Sequence, residues 1–183
     1  MKIVVIQCSP NRDGLTAACA AAAVAGAQEG GAQVEDVRLN DLKMARCRAC
    51  GNGWGGCRDN HECDGIQDDF QALHKKVNGA DALVLITPVY WGQPSESAKA
   101  FLDRYRRSEA TKGDQSALAG KFVLCVAAAG GSGNGTMTSL GELERWCQHI
   151  RAERWDLIGV TKRSRAYKLE TIRQAARALA TGQ

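Results

Sequence analysis

Read for apolar and polar positions, the chain alternates between short apolar runs and longer stretches of helical period. The apolar runs cover residues 2–7, 32–37, 82–87, 123–128 and 155–160. Helical stretches fit between and after them at 15–29, 68–77, 95–107, 136–150 and 166–180, and Gly30-Gly31 closes the first of these. Continuous apolar strands separated by helices predict a parallel sheet covered on both faces. Five such units predict an α/β, doubly wound, five-stranded parallel sheet of order 2-1-3-4-5. Its ligand would lie beyond the carboxyl ends of strands 1 and 3.

At 183 residues the chain suits one well-packed domain spanning 1–183. One segment breaks the rhythm: residues 39–66, rich in Cys and Gly, form a long connection after strand 2, with an insertion at about 44–66. Long connections inside a compact domain are usually functional.

Composition narrows the class. A formal charge of +4 with both signs interspersed calls for neither nucleic acid nor an anionic membrane as partner. No stretch approaches the ~20 apolar residues of a membrane span. The N-terminal run reads as a strand and not as an export signal. The expected compartment is therefore the cytoplasm. There the eight cysteines read as thiols, metal ligands or redox groups in preference to structural disulfides.

Three loops carry candidate chemistry. Ser9-Pro10-Asn11-Arg12-Asp13-Gly14-Leu15-Thr16 combines hydroxyl and amide side chains with the amides of a helix N-terminus, as a phosphate socket does. The same residues also build an ordinary turn and N-cap. Thr87-Pro88-Val89-Tyr90-Trp91-Gly92 places two aromatics after strand 3, suited to a planar ligand, a hydrophobic lid or a dimer contact. The run Gly130-Gly131-Ser132-Gly133 follows strand 4 and lets backbone amides approach a ligand closely, or serves as a flexible connection. All three fall on one rim of the predicted sheet. A phosphate socket, an aromatic shelf and a glycine loop match the three parts of a flavin mononucleotide.

With these loops, Cys47-Arg48-Ala49-Cys50, Asp68-Asp69-Phe70 and Lys99-Ala100-Phe101-Leu102-Asp103-Arg104, the chain resembles the NADPH-dependent FMN reductase family of the flavodoxin-like superfamily, in its iron-sulfur flavoprotein branch. The resemblance implies FMN, with the phosphate held by Ser9, Asn11, Gly14, Leu15 and Thr16. Pro88, Val89, Tyr90 and Trp91 would flank the isoalloxazine, and Gly130, Gly131 and Ser132 would face its pyrimidine edge. Asn11 stands where the family often has Arg. NAD(P)H is the implied electron donor, a free flavin, a quinone or a redox protein the acceptor, and a homodimer or homotetramer the assembly. The other reading is an electron-transfer protein fed by a ferredoxin-like donor.

The insertion carries Cys47-x2-Cys50-x6-Cys57-x5-Cys63. Four thiols this close suit a [4Fe-4S] cluster or zinc. Iron-sulfur flavoproteins place two residues between their second and third cysteines, where this chain has six. A metal centre, or free thiols on a lid or oligomer contact, are the alternatives, and for a metal the resemblance places a [4Fe-4S] cluster ahead of zinc. His61 within the run is read as a loop residue or a further ligand. Cys8, Cys19, Cys125 and Cys147 fall beside predicted elements and read as core. Asp103-Arg104 reads as an ion pair or a charged face. Lys162-Arg163-Ser164-Arg165 reads as a solvated turn, or as a seat for a nucleotide 2′-phosphate.

Overall fold

A computed structural model describes residues 1–182. Five strands, β1 (Lys2–Gln7), β2 (Gln33–Arg38), β3 (Ala82–Tyr90), β5 (Phe122–Ala129) and β6 (Glu153–Thr161), form a parallel sheet in the order β2-β1-β3-β5-β6. This is the expected 2-1-3-4-5 order. A sixth, two-residue strand, β4 (Gln93–Pro94), pairs antiparallel with the end of β3. Sequence pattern misses β4 because two residues carry no period.

Successive residues of β1 feed different layers, as the pleat requires. Ile3 and Val5 pack toward α1 (Leu15–Glu29) and α7 (Arg165–Thr181). Val4 and Ile6 pack toward α4 (Phe70–Asn78), α5 (Glu96–Glu109) and α6 (Thr136–His149). The alanine-rich α1 lies very close to α7. A Cβ at Gly26 would fall 2.0 Å from the carbonyl oxygen of Arg173.

The connection after β2 is less irregular than expected. It holds a 3-10 turn at Leu39–Asp41 and two single-turn helices, α2 (Cys50–Gly53) and α3 (Gly56–Asp59). The helix expected from residue 68 starts at Phe70, because Asp68 accepts the Phe70 amide at 3.1 Å and Asp69 accepts the Lys43 amide at 2.7 Å. Asp68 also accepts the Ala45 amide at 2.7 Å, so the two carboxylates tie the start of the helix to the chain at residues 43–45. Cys8, Cys19, Cys125 and Cys147 are buried as expected, and Cys125 and Cys147 stand 3.9 Å apart, sulfur to sulfur. Among the described residues no helix is long and apolar enough to cross a membrane.

Candidate functional site

The carboxyl ends of β1, β3 and β5 bring the three sequence-flagged loops to one rim. After β1, the Cys8 amide still bonds to Ile86 of β3 at 2.9 Å, and Ser9 is buried with its Oγ accepting the Asn11 amide at 3.2 Å. The chain enters α1 through Gly14 in an extended conformation. Among the described residues no side chain caps α1, and its first turn is free of acidic residues. Its leading amides and dipole therefore face the loop unneutralised. Thr16 lies buried in that first turn, whereas Arg12 turns away to pair with Asp41 at 2.7 Å.

The aromatic loop is a β-hairpin. Val89 pairs with Pro94 and Tyr90 with Gln93, leaving Trp91 and Gly92 as a two-residue turn, both with positive φ (+52° and +79°). This turn leaves Trp91 fully exposed and Tyr90 half-exposed. Pro88 differs from the residues that follow it: like Thr87 it is buried in β3, in register with Ala128.

The glycine loop closes against the hairpin tip. A Cβ on Gly135, at φ +80°, would fall 2.5 Å from the Gly92 Cα, so the two backbones come this close because residue 135 has no side chain. Between hairpin and loop lies a cleft of about 490 Å³, lined by Val89, Trp91, Ala129, Gly131, Ser132 and Asn134 among others. A Cβ at Gly130 or Gly131 would meet no described atom within 4 Å, so internal packing does not require glycine there. The geometry leaves open backbone beside an aromatic shelf, on the same rim of the sheet as the α1 N-terminus.

A second recess, about 850 Å³, opens on the other side of Tyr90, between Pro10, Ser97, Lys99 and the insertion residues Met44, Arg46 and Cys47. Its floor is the start of α5. Ser95 caps that helix by accepting the Ala98 amide at 3.3 Å and donates its hydroxyl to the Cys8 carbonyl at 2.8 Å. Thr87 accepts the Ser95 amide at 3.0 Å, and Ser97 also donates to Cys8 at 3.0 Å. These three hydroxyls lock the ends of β1 and β3 to α5. Sequence reading passed over Ser95 and Ser97; the Ser-x-x start of a helical stretch was the available signal.

The four insertion cysteines come together around a narrow cavity of about 20 Å³, which Arg104, Arg107 and Ile66 also line. Cys47 belongs to both this cavity and the 850 Å³ recess. Gly65 makes room for the Cys50 sulfur, which a Cβ would approach to 2.9 Å. His61 stays out of the cavity and meets the Thr111 hydroxyl at 3.1 Å. Among the described residues, no three His, Cys, Asp or Glu side chains are already drawn to ligating positions.

Asp103 and Arg104 do not pair with each other. Asp103 takes Lys99 at 3.1 Å, while Arg104 grips Asp68 through two bonds of 2.6 and 2.9 Å. Burial disfavours the charged Asp68 carboxylate, but the Arg104 fork and the amides of Ala45 and Phe70 outweigh it and hold the group below its usual range. Burial pushes the Cys63 thiol up, with the Arg104 hydrogen bond pulling the other way. Lys162, Arg163 and Arg165 are exposed at the turn before α7, which Ser164 and Thr161 hold together by mutual hydrogen bonds.

Sheet order and loop placement define a flavodoxin-like fold, with the candidate loops at the topological switch point. Residues 1–152 match the NADPH-dependent FMN reductase family, and the chain belongs to it, among flavin-dependent oxidoreductases. It is 29% identical over 150 residues to an iron-sulfur flavoprotein of Methanosarcina thermophila, covering 82% of this chain and 74% of that one. An iron-sulfur flavoprotein of Methanocaldococcus jannaschii is 32% identical over 106 residues, 58% of this chain, and the chain spans only about half (52%) of that relative's length. Among solved structures, the NAD(P)H:quinone oxidoreductase of Methanothermobacter marburgensis superposes with a TM-score of 0.72 at 19% identity, over 98% of this chain and 96% of the other.

Proposed function

We propose that the protein is an FMN-dependent NAD(P)H oxidoreductase that passes electrons to a small acceptor: a free flavin, a quinone or a redox protein. The observation that carries this reading is that an uncapped helix N-terminus, an exposed Tyr-Trp hairpin and an open glycine loop follow the carboxyl ends of the adjacent strands β1, β3 and β5, with a cleft between hairpin and glycine loop. In it Ser9, Asn11, Gly14, Leu15 and Thr16 bind the phosphate through side chains and amides. Val89, Tyr90 and Trp91 flank the ring system and exclude water from one side, with Pro88 buried in β3 behind them. Gly130, Gly131 and Ser132 present backbone and hydroxyl donors to the pyrimidine edge. When bound, the flavin supplies the hydride and electron chemistry; the protein supplies placement and electrostatics. The family resemblance adds a homodimer or homotetramer, which sedimentation reads directly.

Cys47, Cys50, Cys57 and Cys63 are proposed to hold a metal centre. Four soft donors around one cavity fit a soft cation. Its volume suits a single ion, since one water-sized sphere needs about 10–15 Å³. A single ion and a [4Fe-4S] cluster both require the four thiols to draw into ligating positions. A second reading, an electron carrier fed by a ferredoxin-type donor, draws support from the relatives' names and from Cys47 standing between thiol cavity and recess.

Calorimetric titration of apoprotein with FMN and FAD tests the first reading, with about one FMN per chain expected. Absence of FMN binding refutes it. Anaerobic stopped-flow mixing then separates the two roles. Rapid bleaching by NADPH or NADH supports the reductase, and bleaching only by a reduced ferredoxin supports the carrier. Iron, sulfide and zinc analysis of anaerobic protein identifies the metal.

A further inference from the structure

Arg104 sits midway along α5 with a side chain that is completely buried, and its polar contacts all go to the cysteine-rich connection. The two bonds to Asp68 neutralise its charge. A third, at 3.0 Å, goes to the Ala45 carbonyl, and the guanidinium lies over the Phe70 ring at 4.1 Å. Residues 45 and 68 bracket the insertion, so Arg104 clamps both of its ends. One turn further on, Arg107 bonds the Gly53 carbonyl and lies 4.8 Å over Trp54.

These contacts would suffice for a structural arginine. Two further contacts go to sulfur: Nη1 lies 3.9 Å from the Met44 thioether, a long and weak contact, whereas Nε donates to the Cys63 sulfur at 3.2 Å, and that closer bond does not fit a structural role alone. A protonated thiol is a weak acceptor, so a buried guanidinium N–H gains little from it. A sulfur carrying negative charge to a metal accepts a charge-assisted bond, about twice as strong. Cys63 lines the same cavity as Cys47, Cys50 and Cys57, and Arg104 itself forms part of the wall. Outer groups that hydrogen-bond a ligand orient it and tune the metal.

From this geometry we infer that Arg104 is a positioning residue of the four-thiol site, holding the Cys63 sulfur as a donor to a soft divalent cation while Asp68 holds Arg104. The inference rests on the metal reading above. It predicts that Arg104 acts through one particular sulfur and not through the fold at large.

The test is a double-mutant cycle on the full chain, measuring Zn(II) affinity by competition with a chromophoric chelator and the sulfur-to-Co(II) charge-transfer band. Arg104→Met should weaken Zn(II) by about 10–100-fold. It should also remove the Co(II) band intensity contributed by one sulfur, as Cys63→Ser does. The double variant should bind no more weakly than Cys63→Ser alone. Arg104→Lys should fall between, since an ammonium cannot hold the Asp68 fork and the sulfur together, and it carries the test if the Met variant does not fold. An unchanged affinity in Arg104→Met overturns the inference. So does an equal fold-loss with and without the Cys63 sulfur, which leaves the metal site standing and assigns Arg104 to the fold. A wild-type chain that binds neither Zn(II) nor Co(II) overturns this inference together with the single-ion reading, while the [4Fe-4S] reading is decided separately by the iron and sulfide analysis.

Discussion

Trp91 and Gly135 show how differently single residues act on this rim. Trp91 touches solvent on every side and adopts a left-handed conformation that glycine favours. Trp91→Ala should therefore change stability by no more than about 0.5 kcal/mol. Its effect should fall on flavin reduction, seen by comparing thermal melts with stopped-flow traces. A large fall in melting temperature with unchanged reduction would assign Trp91 to an interface. Gly135 is the reverse case. Gly135→Ala adds a Cβ 2.5 Å from Gly92 and strains a residue at φ +80°, which should cost about 1–3 kcal/mol in urea unfolding. Because the hairpin tip must retreat, FMN affinity should fall as well. The thiols divide in the same way. Burial pushes Cys8 up, and pushes Cys19 up to about 12 despite the nearby Arg165. Both are inert core groups, unlike the half-buried cysteines of the insertion.

At the scale of elements, the site depends on where α5 begins. Ser95 joins β1, β3 and α5 through its hydroxyl and amide, so its loss affects a cap and a tether together. Ser95→Ala should destabilise the fold by about 1–2 kcal/mol, measured by chemical denaturation. It should also loosen FMN, because the Cys8 carbonyl it holds begins the loop proposed to bind the phosphate. A variant with normal FMN affinity would confine Ser95 to capping. Elements with strong period were legible in the sequence: each parallel strand and long helix lies close to its expected place. The hairpin and the turns of the insertion were not. Two-residue strands and single-turn helices have no period, and their stability comes from pairing and from clamps such as Arg104.

At the scale of the whole molecule, a buried polar network joins α4, α5 and the 3-10 turn at Ala110–Gln115. Glu109 is fully buried and accepts His74 Nε2 at 2.7 Å, Lys112 Nζ at 2.8 Å and the Ala117 amide at 2.8 Å. Burial alone would raise its carboxyl, but these bonds lower it from 4.5 to about 2. The folded state thus binds a proton less readily than the unfolded chain. The stabilisation is full above pH 4.5 and is lost as the pH falls toward about 2. Its size is on the order of 2–3 kcal/mol. Melts at pH 7 and pH 3 should show Glu109→Gln less stable than wild type at neutral pH, with the gap closing in acid. A gap that does not close would remove Glu109 from the acid response.

The sequence by itself determined the sheet, its order and the rim on which the loops meet. Apolar runs of strand length separated by helical period leave one economical way to bury both faces. It also flagged the four cysteines, because their spacing is local. Tertiary structure decided what depends on residues distant in the chain. Gly92 and Gly135 lie 43 positions apart and touch, Arg104 reaches back to Cys63 and Asp68, and Asp103 turns to Lys99 instead. Neither backbone contact nor the choice of partner for a buried charge has a signature in local pattern. Both are settled by which surfaces the packed sheet brings together.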